Sequence, residues 1–346
     1  MKTVVVTGGA GYIGSHMVQA LRRAGYRPVA VDNLSQGHPA AVSSADLLVE
    51  DLADRGAIRA ILRRHRPSAI MHFAASCLVG ESVDNPLHYY RNNVSATLTL
   101  LEIALESGVP RFVFSSSAAV YGEPEEVPIT ETHPTRPINP YGWSKLMGER
   151  MLLDAARAYG LGVVAFRYFN AAGAEPRTGL GEDHRPETHL LPLAVRAAIS
   201  ADVPLTVHGS DYDTRDGTCI RDYIHVGDLT AAHLLGLRHL EEEGESGVFN
   251  LGTETGTSVR ELIAEVEKAT RLPVPYELGP RRAGDPAVLV ASGAKAKQVL
   301  GWEPKRTLED MIRSTYEFAR RYPEGYPELI PRGLEPQPVP QRSDGD

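Results

Sequence analysis

A doubly wound parallel α/β sheet carrying a smaller α+β lobe is the fold class this sequence predicts, on three observations. Short β-branched runs alternate with amphipathic stretches through the first half of the chain, and a glycine-rich turn follows the first run. After residue 170 the alternation gives way to less regular segments rich in glycine, proline and charge. With 346 residues, 42% hydrophobic and 23% charged, the chain has material for a large core and a second lobe.

Residues 3–6 read as a strand, 13–24 as an amphipathic helix and 28–31 as a second strand, followed by a loop to residue 44. That is a βαβ unit, and the alternation continues with a strand at 46–49, a helix at 54–64 and a strand at 69–73. A helix at 93–107 and a strand at 111–114 follow. Pro140 opens a helix reaching residue 159, because proline suits a first helical position, and 161–168 reads as a sixth strand. The stretch 171–188 has the composition of a lobe boundary. Beyond it, helices are expected at 190–200, 228–240, 259–269 and 308–320, with short strands near residues 205, 249 and 274. The expected division is thus 1–170 for the parallel-sheet domain and 171–330 for the second lobe, some of whose segments return to the sheet. Residues 331–346, proline-spaced and poor in apolar groups, read as a loose tail.

The 36 basic residues against 44 acidic ones give a net charge of −8 spread along the chain, which speaks against nucleic acid as a partner. Two cysteines, Cys77 and Cys219, do not make a disulfide framework and suggest a reducing compartment. Neither a secretory signal nor an apolar run of membrane-spanning length is evident, so a cytoplasmic location and no membrane partner are expected.

Directly after the first strand, Gly8, Gly11 and Gly14 are spaced G-x-x-G-x-x-G where the first helix begins. Lack of a Cβ permits the turn, lets a pyrophosphate approach main-chain N–H groups at the helix N-terminus, and lets helix and strand lie close. Asp32, at the end of the second strand, stands where a carboxylate accepts hydrogen bonds from an adenosine ribose diol; a turn residue in Asp-Asn is the plainer alternative. In the ribose role it repels a 2′-phosphate, favouring NAD over NADP. The spacing resembles that of the extended short-chain dehydrogenase/reductase superfamily, whose sheet is of the Rossmann type.

Tyr141 and Lys145, at i and i+4 inside the helix opened by Pro140, project from one face. Alone the pair fits a surface aromatic beside an aliphatic stem. It follows a strand ending in Ser115-Ser116-Ser117, however, at the carboxyl edge where open α/β sheets bind ligands. A phenol with an ordinary pKa of about 10 needs roughly 4 kcal/mol to act as a base near neutrality. One cation at about 4 Å and an effective dielectric of about 20 supplies roughly that much. Lys145, assisted by a positive nicotinamide ring, is the expected cation, with Tyr141 as base and Ser117 holding the substrate oxygen; turn formation is the alternative for the serines.

The resemblance is to the UDP-galactose 4-epimerase family, over residues 1 to about 325. It is carried by Gly8 to Asn33, His72-Phe73-Ala74-Ala75, Val79-Gly80-Glu81-Ser82, Tyr89-Tyr90 with Asn92-Asn93, Ser115 to Gly122, and Tyr141 to Lys145. Arg167-Tyr168-Phe169-Asn170, Asp216-Gly217-Thr218, Arg221 to Val226 and Arg281-Arg282-Ala283-Gly284-Asp285 continue it. It implies bound NAD lined by Gly8, Gly11, Tyr12, Ile13, Gly14, Asp32, Asn33, Asp51, Leu52, Phe73, Ala74, Ala75, Asn92, Ser115, Tyr141, Lys145 and Tyr168. It implies a UDP-sugar held by Ser117, Tyr141, Asn170, His189, Leu190, Arg221, Tyr223, Arg282, Asp285 and Leu289. Two guanidiniums suit a diphosphate clamp and Asp285 a ribose hydroxyl, although solvated ion pairs fit the same residues. Cys77 replaces a lysine of several epimerases, and His189 an asparagine.

The implied activity is interconversion of UDP-glucose and UDP-galactose by transient oxidation at C4, in a homodimer, with no metal. Epimerisation of UDP-xylose or UDP-N-acetylglucosamine is the neighbouring alternative. A 4,6-dehydratase needs an acid beside the strand-end serine, where Ala118, Ala119 and Val120 stand. A non-catalytic NAD sensor does not account for an intact Ser117, Tyr141 and Lys145.

Overall fold

The computed structural model describes residues 1–42, 46–200, 203–282 and 285–327, so the expected tail at 331–346 lies outside the described residues. In chain order the first half holds β1 (Thr3–Thr7), α1 (Tyr12–Arg23), β2 (Arg27–Asp32), β3 (Asp46–Val49), α2 (Arg55–His65), β4 (Ala69–His72), α3 (Val79–Asp84), α4 (Pro86–Tyr89), α5 (Ala96–Glu106), β5 (Arg111–Ser115), α6 (Pro140–Tyr159) and β6 (Gly162–Tyr168). The second half holds β7 (Asn170–Ala172), α7 (Leu190–Ile199), β8 (Leu205–His208), β9 (Ile220–Arg221), β10 (Tyr223–His225), α8 (Val226–Glu241), β11 (Gly247–Leu251), β12 (Thr257–Ser258), α9 (Val259–Thr270), β13 (Tyr276–Gly279), β14 (Val288–Leu289), α10 (Ala294–Leu300) and α11 (Leu308–Arg321).

Seven parallel strands form the main sheet in the order β11-β6-β5-β4-β1-β2-β3. This is the Rossmann-type doubly wound sheet. Both faces are covered, and β1 shows why: Val4 and Val6 pack on one side with Met17, Val18 and Leu21 of α1, while Val5 packs on the other with Ile58 and Leu62 of α2 and Leu100 of α5. Each such fully buried side chain contributes about 2 kcal/mol. A strand buried on both faces reads as a continuous apolar run rather than an alternation, as Val4-Val5-Val6 does.

The strand expected near residue 249 is β11, which leaves the second half to become the seventh strand of the main sheet beside β6. The second lobe gathers around Leu191, Ala194, Val195, Val207, Leu262, Val266 and Ile312. Its strands pair in small sheets, β7 with β10, β8 with β13, and β9 between β12 and β14. Most have two or three residues, too few to display a period in sequence. The strand expected near 274 forms at Tyr276–Gly279. The helix expected over 93–107 is preceded by a π-helical turn, Tyr90–Ser95, which brings Asn92 and Asn93 to the loop after β4. Among the described residues no helix is long and apolar enough to cross a membrane.

Candidate active site

The order of the strands reverses at β1, flanked by β2 and β4, and ligands of open α/β sheets bind at such a crevice. Gly8, with φ of +69°, turns the chain out of β1, and a Cβ there would stand 2.5 Å from the main-chain nitrogen of Ala74 beyond β4. A Cβ on Gly14 would stand 2.0 Å from the Gly8 carbonyl oxygen. Gly11 begins α1 with no side-chain cap, leaving the first-turn N–H groups to an anion. Tyr12 ties this turn to the second lobe by donating to the Gly173 carbonyl at 2.5 Å, and Ile13 packs on the core. The residues fit a dinucleotide pyrophosphate: a close-packed turn, a free helix N-terminus and, at Phe73, Ala74 and Ala75, a second backbone segment across the crevice.

Asp32 is buried, its carboxylate accepting from the main-chain nitrogens of Ala10 at 3.0 Å and Leu34 at 2.8 Å. Burial raises its pKa, and those N–H groups oppose the rise. Gly37 crosses directly over it, so close that a Cβ would lie 2.8 Å from the carboxylate. Gly37 narrows the space a 2′-phosphate would need, and no local sequence pattern signals it. Exposed Asn33 donates to Asp51 at 2.9 Å, and Leu52 is buried beside it.

The opposite side of the crevice is built by α6. Asn139 caps it, accepting from the Gly142 nitrogen at 2.8 Å, and Gly142 lies so near the turn Ala118–Val120 that a Cβ would be 2.4 Å from the Ala119 carbonyl oxygen. That approach brings Tyr141 to Ser117, which caps the turn through Ala119. One turn further along α6, buried Lys145 donates to the Ser115 carbonyl at 2.8 Å, with its Nζ 5.9 Å from the Tyr141 ring centre. The Ser115 hydroxyl meets the Tyr168 hydroxyl at 2.5 Å. Asn92 donates to Ser76 at 3.0 Å, and its neighbour Asn93 donates to Ser144 of α6 at 3.0 Å.

Burial pushes the Tyr141 phenol up from its ordinary pKa, with Ser117 pulling it down, and burial lowers Lys145 to about 8. Loss of water drives both groups toward neutrality, and the Lys145 ammonium is held by the Ser115 carbonyl.

On the second lobe, Arg221 and Asp285 form an ion pair with each other, and Arg221 also donates to the Ile220 carbonyl at 2.8 Å. The pair is largely out of water, unlike the solvated bridge considered from sequence. Arg282 is exposed. Tyr223 is buried, and Asn170, its partner in the β7–β10 pairing, is half-buried. Leu289 is opposite Arg221 in the β9–β14 pairing and packs against Val120, Tyr121 and Ile129. Leu190 opens α7, and His189 before it has its Nδ1 2.5 Å from a Glu182 oxygen. Cys77 is free and exposed in the loop after β4.

Sequence reasoning missed two groups. Glu149 and Arg167 lie buried behind the serines, joined to Ser116 and Tyr121. Glu182, His184 and Glu187, within the segment read only as a lobe boundary, converge with His189, read as a sugar contact, although the spacing Glu-x-His-x-x-Glu-x-His was a visible signal.

The model of the family described as NAD dependent epimerase/dehydratase matches residues 4–252. The UDP-glucose 4-epimerase of Halalkalibacterium halodurans is 48% identical over 324 residues, 93% of this chain and 97% of the relative. A crystal structure of the Brucella ovis UDP-glucose 4-epimerase in complex with NAD is 48% identical, with a TM-score of 0.89 over 91% of this chain and 98% of that one. The Bifidobacterium longum UDP-glucose 4-epimerase in complex with NAD+ and UDP is 39% identical, with a TM-score of 0.89 over 94% of this chain and 100% of that one. Fold, crevice and sequence agree, and the chain belongs to the NAD dependent epimerase/dehydratase family.

Proposed function

We propose that this chain interconverts UDP-glucose and UDP-galactose by transient oxidation at the sugar C4, using bound NAD. The observation that carries the reading is the convergence of Ser117, Tyr141 and Lys145 at the carboxyl end of β5, facing the glycine-rich turn across the crevice. The relatives are UDP-glucose 4-epimerases over nearly their whole length, two of them with NAD bound.

When bound, NAD would supply a reversible hydride acceptor for the sugar C4. The chain's own residues do the rest. Gly8, Gly11, Gly14 and Ala74 leave room for the pyrophosphate, and Asp32 receives the adenosine ribose. Tyr141 takes the proton from O4 and later gives it back, while Ser117 holds that oxygen in place. Lys145 keeps a positive charge beside the phenol. Arg221 and Arg282 hold the diphosphate, Asp285 the uridine ribose, and Asn170, Leu190 and Tyr223 border the same space. Anchoring the UDP part lets the hexose swing to present its other face. Because Ala118 and Val120 are buried apolar groups, the positions after Ser117 offer no acid for dehydration.

Residues 1–170 with β11 serve the cofactor and the remaining second-lobe elements the sugar nucleotide. The reading includes a cytoplasmic location and a homodimer, the homodimer supported by exposed Leu98 on α5 and exposed Trp143 and Met147 on α6. These helices pack side by side and offer apolar surface for a second copy. Incubating purified protein with UDP-galactose and no added NAD tests the activity: UDP-glucose must accumulate to equilibrium, and its failure to form, with NAD shown to be bound, would overturn the reading.

A further inference from the structure

We propose that Glu182, His184, Glu187 and His189 form a structural zinc site at the seam between the glycine-rich turn and the second lobe. One donor atom from each of the four lies within 4.8 Å of all the others. His184 Nδ1 is 3.2 Å from Glu182 Oε1 and 3.7 Å from Glu187 Oε2. His189 Nδ1 is 2.5 Å from Glu182 Oε1 and 3.7 Å from Glu187 Oε1. A tetrahedral zinc ion with bonds of about 2.0–2.1 Å sets its donors about 3.3 Å apart, so the His189–Glu182 pair at 2.5 Å must open and the wider pairs close.

Burial and hydrogen bonding distinguish this cluster from a surface group of charges. The Glu182 and Glu187 side chains are 3% and 2% exposed, so both carboxylates are out of water and need a positive charge beside them. His184 Nδ1 is buried and makes no hydrogen bond, though two carboxylates face it. That nitrogen, aimed at two carboxylates and bonded to neither, stands where a shared cation would be held. Glu187 is fixed in place by the main-chain nitrogens of Thr188 at 2.7 Å and His189 at 2.8 Å, the kind of support that orients a ligating carboxylate.

Donor chemistry selects the ion. Two imidazole nitrogens with two carboxylate oxygens suit zinc, whereas magnesium and calcium prefer oxygen donors alone. Four protein donors complete the tetrahedron and leave no position for substrate, so the role is structural. The anchored loop holds several parts together. The His184 ring stands edge-on to Tyr12, 6.4 Å between centres, and Asp183 accepts from the Tyr326 nitrogen at 2.8 Å and pairs with His38. Its last ligand, His189, immediately precedes α7. Zinc would therefore fix the spacing between the cofactor turn and the start of α7, and His189 would serve as a ligand in place of a sugar contact. The site stands independently of the proposed reaction.

The test uses tag-free full-length protein. Elemental analysis is expected to find about one zinc per chain, and chelator-treated protein titrated with Co2+ alone is expected to develop the intense visible bands of tetrahedral cobalt, which added Zn2+ bleaches. His184→Gln and Glu187→Gln should each weaken Zn2+ binding roughly 100-fold or more, since each removes one of four ligands. Asp183→Asn, whose carboxylate faces Tyr326 and His38, should bind Zn2+ like the parent. Absence of stoichiometric zinc binding by the parent chain, or Zn2+ affinity unchanged in both ligand variants, overturns the proposal. The parent titration decides it whether or not the variants fold.

Discussion

Glu149 of α6 and Arg167 of β6 are joined by two parallel hydrogen bonds, 2.8 Å from Nε and 2.6 Å from Nη2, with both side chains buried. Arg167 also donates to Tyr121 at 3.0 Å, Tyr121 donates to Asn250 of β11 at 2.6 Å, and Glu149 accepts from Ser116. The helix carrying Tyr141 and Lys145 is thereby fixed to β6, to β11 and to the residue that follows β5. Replacing one partner leaves an uncompensated buried charge, so Arg167→Leu should cost about 3–5 kcal/mol of stability. The double variant Arg167→Leu, Glu149→Leu should recover a large part of that loss. Denaturant unfolding of the parent, both single variants and the double variant measures it; a double-variant loss equal to the sum of the two single losses would show that the pair is not the unit.

Tyr141→Phe removes the proton acceptor and leaves the ring in place against Tyr89. Turnover of UDP-galactose should drop by about 10²–10⁴-fold, while NAD and UDP-sugar remain bound. Turnover near that of the parent would remove Tyr141 from the mechanism.

Asp32 lies beneath Gly37 with its carboxylate held by Ala10 and Leu34. NAD should therefore bind much more tightly than NADP, and Asp32→Ala should narrow that preference by weakening NAD. The check is the ratio of the two dissociation constants for parent and variant. A parent that co-purifies with NADP contradicts this placement of the ribose.

Leu289, beside Arg221 and against Tyr121, is half-buried at the edge of the candidate sugar site. Leucine is shorter than tyrosine, so detectable but secondary turnover of UDP-N-acetylglucosamine is expected beside efficient UDP-glucose turnover. Leu289→Tyr should selectively reduce the N-acetyl activity, because added bulk penalises the larger C2 substituent. An unchanged ratio of the two kcat/KM values would mean that Leu289 does not gate the site.

Acid should destabilise the fold from about pH 6.5 downward, through histidines that are buried uncharged. Burial lowers His16, His225 and His233 to about 4 and His72 to about 3. As pH falls below about 6.5 the unfolded chain gains these protons and the folded one does not, so each site removes about 1.4 kcal/mol per pH unit until its folded pKa is reached. Asp222, raised to about 6 by burial, and Asp32, also raised by burial, work the other way because their folded forms take up a proton first. Four sites against two give a net loss of stability between pH 6.5 and 4, measurable as falling Tm. A flat Tm across that window would mean these imidazoles are hydrated.

How much of this was legible in sequence follows from how local each cause is. Gly8, Gly11 and Gly14, the apolar run Val4-Val5-Val6, Pro140 and the i, i+4 placement of Tyr141 and Lys145 are set by backbone sterics and helical period over a few residues. They determined the sheet, the cofactor turn and the catalytic helix without reference to the rest of the chain. Only the tertiary structure decided that β11 joins the main sheet 79 residues after β6 ends, counting from Tyr168 to Gly247. The same holds for Gly37 closing over Asp32, for Arg221 pairing with Asp285, and for Glu149 meeting Arg167. Burial also shifted the proton affinities of the site: the same Lys145 that sequence spacing offered as the activating cation loses part of its own proton affinity when water is removed. Pairings between distant segments, and desolvation of the groups they enclose, are properties of the packed interior, which no short window of sequence contains.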